Sequence, residues 1–250
     1  MTFNLRRAVR RLLPPSATRV LPGVGRSGSA PRVGRVRFGQ LRRLTPISRV
    51  FGYDRGMPVD RYYIESFLAR HAADVRGHVL EIGDDSYTRR FGGDRVTKSD
   101  ILHVSRENPR ATIVTDLAAD ESIPPETFDC VIITQTLQLI YDTRAAVRTL
   151  HRVLKPGGLC LATAPGISQI DAGEWGHSWY WAFTTASTHR LFAEPFDPAN
   201  VQVTAHGNVL AATAFLYGLG AEELSRAELD YHDPCYQMLL TCRARKAPRA

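Results

Sequence analysis

Residues 77–87 read Gly77-His78-Val79-Leu80-Glu81-Ile82-Gly83-Asp84-Asp85-Ser86-Tyr87. Val79, Leu80 and Ile82 make a short β-rich apolar run that Gly83 ends, the pattern of a buried parallel strand feeding a loop. In an open α/β sheet, ligands sit at the carboxyl ends of the strands, so the chemistry of this loop selects the ligand. A dinucleotide asks for G-x-G-x-x-G, whose backbone N–H groups reach a pyrophosphate. Here Asp85 and Ser86 or Tyr87 stand at the second and third glycine positions, and Asp84 and Asp85 would face a phosphate. Such a loop repels an anion and attracts a cation. A ligand with a sulfonium and an ammonium, S-adenosylmethionine, suits it better than NAD.

The segments around it extend the same architecture. Pro58 opens a helix after a Tyr53-Asp-Arg-Gly56 turn, with Val59, Tyr63, Phe67 and Leu68 as an apolar stripe reaching to about Val75. Asp54, Arg55, Asp60 and Arg61, with Tyr62, form a polar cluster just ahead of the first strand. A short helix over Tyr87–Phe91 stops at Gly92-Gly93, and Arg95–Asp100 reads as a second strand ending in an acid. Asp100 follows Glu81 by nineteen residues, near the spacing at which nucleotide folds set a carboxylate on ribose hydroxyls, with Ile101 beside it. Thr112–Leu117 is a third short strand, and the apolar run Phe128–Thr134, followed by Gln135, is a fourth. A helix through Val147, Leu150, Val153 and Leu154 ends at Lys155-Pro-Gly-Gly158 before a fifth strand, Leu159–Thr163. Thr188–Phe196 is helical, Val201–Ala205 alternates as a strand, Val209–Leu219 is a core helix, and Tyr236–Arg243 is a final strand.

Val79-Leu80-Glu81-Ile82-Gly83, and Leu154-Lys-Pro-Gly-Gly158 ahead of an apolar strand, resemble motifs of the class I S-adenosylmethionine-dependent methyltransferases. The resemblance covers roughly residues 58–244. That family's first motif continues x-Gly-x-Gly-x-Gly, and this chain keeps one of the three glycines. The resemblance implies an α/β fold: a Rossmann-like seven-stranded, mostly parallel sheet flanked by helices, with the last strand antiparallel. It implies S-adenosylmethionine as cofactor, bound by Glu81, Gly83, Asp84, Asp100, Ile101 and the Thr134–Gln135 strand end. Asp116 would hydrogen-bond the adenine amino group, with the Leu117 backbone beside it. The helix before the first strand would pack over the cofactor, bringing Tyr62 or Tyr63 to the ligand. The Asn/Asp-Pro-Pro-aromatic tetrad that marks amino-group methylation of bases is absent after the fourth strand.

The acceptor side is expected after strand five, where all three tryptophans fall between Trp175 and Trp181. Trp175 and Trp179 are candidate walls of an acceptor pocket, although aromatic rings there also serve simply to cap the sheet. Methyl transfer to a hydroxyl calls for alignment and a base, and for no metal. His177 lies inside the tryptophan segment and is the first candidate base, followed by His206, Asp171 and Glu174. The expected activity is O-methylation of a small hydroxylated acceptor, a sugar or secondary metabolite.

Composition limits the alternatives. The 250 residues, 44% hydrophobic and 23% charged, suit one soluble globular domain plus an appendage. The net charge of +7 is unevenly placed: residues 1–50 hold twelve Arg and no Lys, Asp or Glu, and the other 200 hold 20 basic against 25 acidic side chains. The division is therefore a basic, Arg/Pro/Gly-rich arm over 1–50 and a methyltransferase domain over 51–250. Met1–Leu13 has the pattern of a short amphipathic helix, which suits an anionic membrane surface or another acidic partner. A solvated leader and a mitochondrial presequence fit the same composition. Cys130, Cys160, Cys235 and Cys242 form no C-x-x-C pair and suggest a reducing cytoplasm. Two rivals remain at this stage: a non-catalytic partner protein of the same fold, and an RNA-modifying enzyme using the arm. Nucleic acid is not expected, because Phe3 and Phe38 are the arm's only aromatics and give bases no stacking platform.

Overall fold

The computed structural model describes residues 30–119, 122–171, 173 and 175–249. Two units divide the chain, Met1–Arg42 and Arg43–Ala250. In the first, Gly39–Leu41 forms a 3-10 turn and the Arg42 guanidinium lies 5.5 Å from the Phe38 ring centre. The helix expected over Met1–Leu13 lies outside the described residues. Residues 43–50, expected in the arm, belong to the second unit, where the Ile47 and Ser48 N–H groups donate to the Tyr217 carbonyl.

The second unit is built on one seven-stranded sheet. Its strands are β1 (Gly77–Ile82), β2 (Val96–His103), β3 (Ile113–Val114), β4 (Phe128–Thr134), β5 (Leu154–Pro165), β6 (Val201–His206) and β7 (Leu239–Arg245). They lie in the order β3-β2-β1-β4-β5-β7-β6, parallel throughout except that β7 runs antiparallel to both of its neighbours. A parallel sheet needs cover on both faces, which is why β1, β4 and β5 read as continuous apolar runs rather than alternating ones. Residues 130–133 and 160–161 are fully buried.

The helices supply that cover: α1 (Val59–Arg70), α2 (Thr143–Val153), α3 (Thr185–Ala193), α4 (Val209–Leu216) and α5 (Arg226–Asp230). Val147, Leu150 and Val153 of α2 and Phe192 of α3 pack with Phe128 and Val131 on one face. Ile64 and Leu68 of α1, Phe215 of α4 and Leu229 of α5 pack with Val79 and Ile132 on the other. Each fully buried aliphatic or aromatic side chain contributes about 1.5–3 kcal/mol of transfer free energy. The Asp142 carboxylate caps α2 by accepting the Ala145 N–H at 2.9 Å, and Thr184 with Ser187 forms the capping box that starts α3.

The strand order reverses between β1 and β4, and such a switch point opens a crevice above the strands' carboxyl ends. Several boundaries differ from those read in the sequence. β2 runs three residues past Asp100, because Ile101 and Leu102 continue the ladder opposite Glu81 and Ile82 of β1. β3 is only two residues long, and β7 begins at Leu239, three residues later than the sequence reading placed it. All four cysteines are free thiols. Among the described residues, no helix is long and apolar enough to cross a membrane.

Candidate active site

Glu81 ends the polar business of β1 with its side chain almost sealed from solvent, 2% exposed. Its carboxylate accepts the backbone N–H of Tyr87 at 3.2 Å and of Thr88 at 2.7 Å, tying the strand end to the single π turn Thr88–Gly92. Burial pushes its carboxyl up to about 7, although the two amides pull the other way. Gly83 follows with φ +92, and a Cβ there would meet no atom within 4 Å, so bare backbone faces open space. Asp84 supplies the turn that the missing glycines would have allowed. It accepts the Ser86 N–H at 2.9 Å and the Ser86 hydroxyl at 2.8 Å. Burial opposes ionisation of Asp84, but the Ser86 amide and hydroxyl outweigh it and hold the carboxyl below its ordinary value. Asp85 does not face the ligand as expected: it is engaged by Arg110 and, at 2.9 Å, by Arg89.

One cavity of about 1220 Å³ lies above these strand ends. Glu81, Gly83 and Asp84 line it with Asp116 and Leu117 after β3 and Thr134 and Gln135 after β4. The Asp116 carboxylate accepts the Ala118 N–H at 2.8 Å, which holds that loop. Gln135 has φ +48, a left-handed conformation that an L side chain adopts only under constraint. The constraint is visible: its N–H donates to the Thr163 carbonyl at 3.0 Å, and its own carbonyl accepts from Gln138 Nε2 at 2.8 Å.

Asp100 and Ile101 do not line the cavity, which corrects the ribose assignment. Asp100 sits mid-strand opposite Leu80, with His78 Nε2 at 2.6 Å and Lys98 Nζ at 3.1 Å, and it accepts the Thr112 hydroxyl at 2.9 Å. Leu102 and His103 are the residues that reach the cavity from the end of β2. The His103 Nδ1 lies 2.9 Å from the Ser105 carbonyl, and the ring meets Trp175 edge-on with centres 6.4 Å apart. The apolar pair Ile101-Leu102 was the signal, since a strand that ended at Asp100 would not bury both.

The opposite wall comes from the segment before α1 and the segment after β5. Phe51 lies parallel to Trp179, with centres 6.4 Å apart and planes 11° apart. Trp175, His177, Trp179 and Asp171 all line the cavity, His177 as an exposed side chain on the 3-10 turn Gly176–Ser178. Glu174 lies outside the described residues. Trp181 is used otherwise, its Nε1 donating to the Ile140 carbonyl at 3.0 Å. Two expected residues lie elsewhere. The Tyr62 hydroxyl donates to Asp230 at 2.6 Å outside the cavity, because its place on α1 turns it toward α5. His206 is stacked on Tyr63 with Nε2 3.0 Å from the Thr241 hydroxyl, and burial lowers its pKa to about 4. Asp60 and Arg61 of α1 do line the cavity, a role their polar cluster signalled without specifying.

Residues 82–162 match the family model described as a methyltransferase domain, from the last residue of β1 through β4 and into β5. That stretch of the chain is a methyltransferase domain by this match. A methyltransferase domain implies an enzyme with S-adenosylmethionine as cofactor. The open backbone at Gly83 and the Asp84 carboxylate beside it fit a cationic nucleoside of that kind. No curated protein matches this chain in sequence. Among solved structures, the [4+2]-cyclase SpnF is similar over 77% of this chain and 82% of its own, at 20% identity and a TM-score of 0.48. The phosphoethanolamine N-methyltransferase 2 of Haemonchus contortus, solved with S-adenosyl-L-methionine, is 17% identical over 75% of this chain, with a TM-score of 0.49. This chain spans 53% of that protein's length. An S-adenosylmethionine-dependent methyltransferase of Archaeoglobus fulgidus is 11% identical, over 74% of this chain and 94% of its own, with a TM-score of 0.49.

Proposed function

We propose that this methyltransferase acts on a hydroxyl oxygen of a small, uncharged or cationic acceptor, a sugar or a secondary metabolite. The observation that carries the reading is the pairing, across one cavity, of the acidic strand-end wall with the aromatic wall of Phe51, Trp175 and Trp179. Flat apolar faces pack against sugar rings and aromatic skeletons. The cavity carries Asp60, Glu65, Glu81, Asp84, Asp116, Asp142 and Asp171 against Arg61 and Arg90, a balance that disfavours a phosphorylated or carboxylated acceptor.

In this reading Glu81, Gly83, Asp84, Asp116, Leu117, Thr134 and Gln135 hold the cofactor. S-adenosylmethionine, when bound, supplies an electrophilic methyl group on its sulfonium. Trp175 and Trp179 orient the acceptor and exclude water, and His177 removes the hydroxyl proton as the oxygen attacks. The Arg-rich residues 1–50 address an anionic membrane surface or another acidic partner, and four free thiols suit the cytoplasm. The test is product profiling with methyl-labelled cofactor against panels of glycosides and phenols. An O-methylated product supports the proposal; label found only on nitrogen, on carbon or in RNA overturns it.

A further inference from the structure

The first turn of α1 presents two adjacent, oppositely charged side chains to the cavity, Asp60 and Arg61. Asp60 is 8% exposed, and its Oδ1 is buried with no hydrogen-bond partner. Arg61 is half-buried; its Nε donates to the Tyr53 hydroxyl at 2.9 Å and its Nη1 to the Tyr87 hydroxyl at 3.0 Å. Both of those partners are neutral phenols. Among the described residues neither Asp60 nor Arg61 belongs to an ion pair, although the pairs Arg90–Glu65 and Arg89–Asp85 form close by. The two attract each other without an ion-pair contact, and burial still holds the Asp60 carboxyl above its ordinary range; a ligand that brings an opposite charge to each offsets that cost.

A ligand that satisfies both carries an ammonium and a carboxylate a few bonds apart, as an α-amino acid does. Asp60 accepts from the ammonium, and the planar guanidinium of Arg61 meets the carboxylate. The first loop is poorly placed to do this work. Its glycine positions are filled, Asp84 is closed on Ser86, and Asp85 is turned to Arg89 and Arg110. We infer that Asp60 and Arg61 form a zwitterion receptor that holds the amino-acid end of S-adenosylmethionine, moving that duty from the loop after β1 to the first turn of α1. The inference rests on the cofactor assignment above.

The test compares three cofactor relatives by calorimetry on the full-length protein. S-adenosylhomocysteine keeps the amino-acid end, 5′-methylthioadenosine lacks it, and decarboxylated S-adenosylmethionine keeps only the ammonium. The wild type should bind methylthioadenosine at least roughly tenfold more weakly than S-adenosylhomocysteine, the size of one lost charged interaction. Asp60→Asn and Arg61→Gln should each shrink that gap to about threefold or less while leaving methylthioadenosine affinity unchanged, which also reports an intact fold. A gap that survives in both variants overturns the inference. Should a variant lose every ligand through misfolding, the wild type still decides. Decarboxylated and intact S-adenosylmethionine binding equally well removes Arg61 from the role, and the inference with it. A wild type that binds none of the nucleosides rejects the cofactor assignment itself, a separate outcome.

Discussion

The Thr88 backbone N–H donates to Glu81 Oε2 at 2.7 Å, so the last acid of β1, which lines the cavity, also clamps the turn that follows. This single contact orders the loop that the missing glycines would otherwise leave unspecified. It also buries a carboxyl whose pKa rises to about 7. An acid with a folded-state pKa above its unfolded value favours the folded state when protonated. Stability is then lost as pH rises from about 4.5 toward 7. For a shift of that size the loss is on the order of 3 kcal/mol at most. Denaturant unfolding of the wild type and Glu81→Gln between pH 5 and 8 should show a falling difference that the variant lacks. Parallel pH profiles would place the charge elsewhere.

Gly83 carries a second prediction. With φ +92 it occupies a conformation that costs an L residue about 1–2 kcal/mol, and the added Cβ would project into the cavity. Gly83→Ala should lower stability by about that amount and reduce cofactor affinity by more than tenfold, the larger effect being steric. Calorimetry with S-adenosylhomocysteine alongside thermal unfolding separates the two effects. A variant that unfolds earlier but binds normally would show that the cofactor does not approach this backbone.

Asp100 makes the opposite prediction to the one its spacing from Glu81 invited. Burial opposes its ionisation, but His78, Lys98 and Thr112 outweigh that and hold its carboxyl below the ordinary value. Its contribution is therefore present at neutral pH and lost as pH falls through its depressed pKa. Asp100→Ala should destabilise the fold by about 1–3 kcal/mol, because the His78 and Thr112 groups lose their partner. Cofactor affinity should stay within about twofold of wild type. A tenfold loss of affinity in a well-folded variant would return Asp100 to the binding site.

Asp100 also shows where sequence reading reaches and where it stops. The sheet was legible because parallel strands covered on both faces carry continuous apolar runs, as residues 130–133 and 159–162 are. Gly83, Asp116, Leu117, Thr134 and Gln135 were legible as cavity-lining residues because the carboxyl ends of parallel strands open onto the crevice. The failures depend on direction rather than position. A strand residue placed three short of the end meets neighbours on the sheet face instead of the cavity, as Asp100 meets His78, Lys98 and Thr112. A helix residue one position around the turn points elsewhere, which sent Tyr62 to Asp230 and brought Asp60 and Arg61 to the cavity. The stack of Phe51 on Trp179 joins residues 128 positions apart and left no local trace.

The last prediction concerns His177, which stands exposed at the cavity among the aromatic residues rather than in a buried network. A base in that position needs no tertiary partner to be effective; it needs only to meet the acceptor hydroxyl. His177→Gln should lower turnover on the true acceptor by a factor of roughly 10²–10⁴ and leave cofactor affinity unchanged. Trp179→Ala makes the informative comparison. It removes the ring that packs on Phe51 without touching a proton-transfer group, so it should raise the acceptor KM and affect kcat less. If His177→Gln instead reproduces the Trp179→Ala pattern, with KM raised and kcat retained, His177 shapes the acceptor wall. The base is then another group, and Asp171 on the same cavity wall is the first to test.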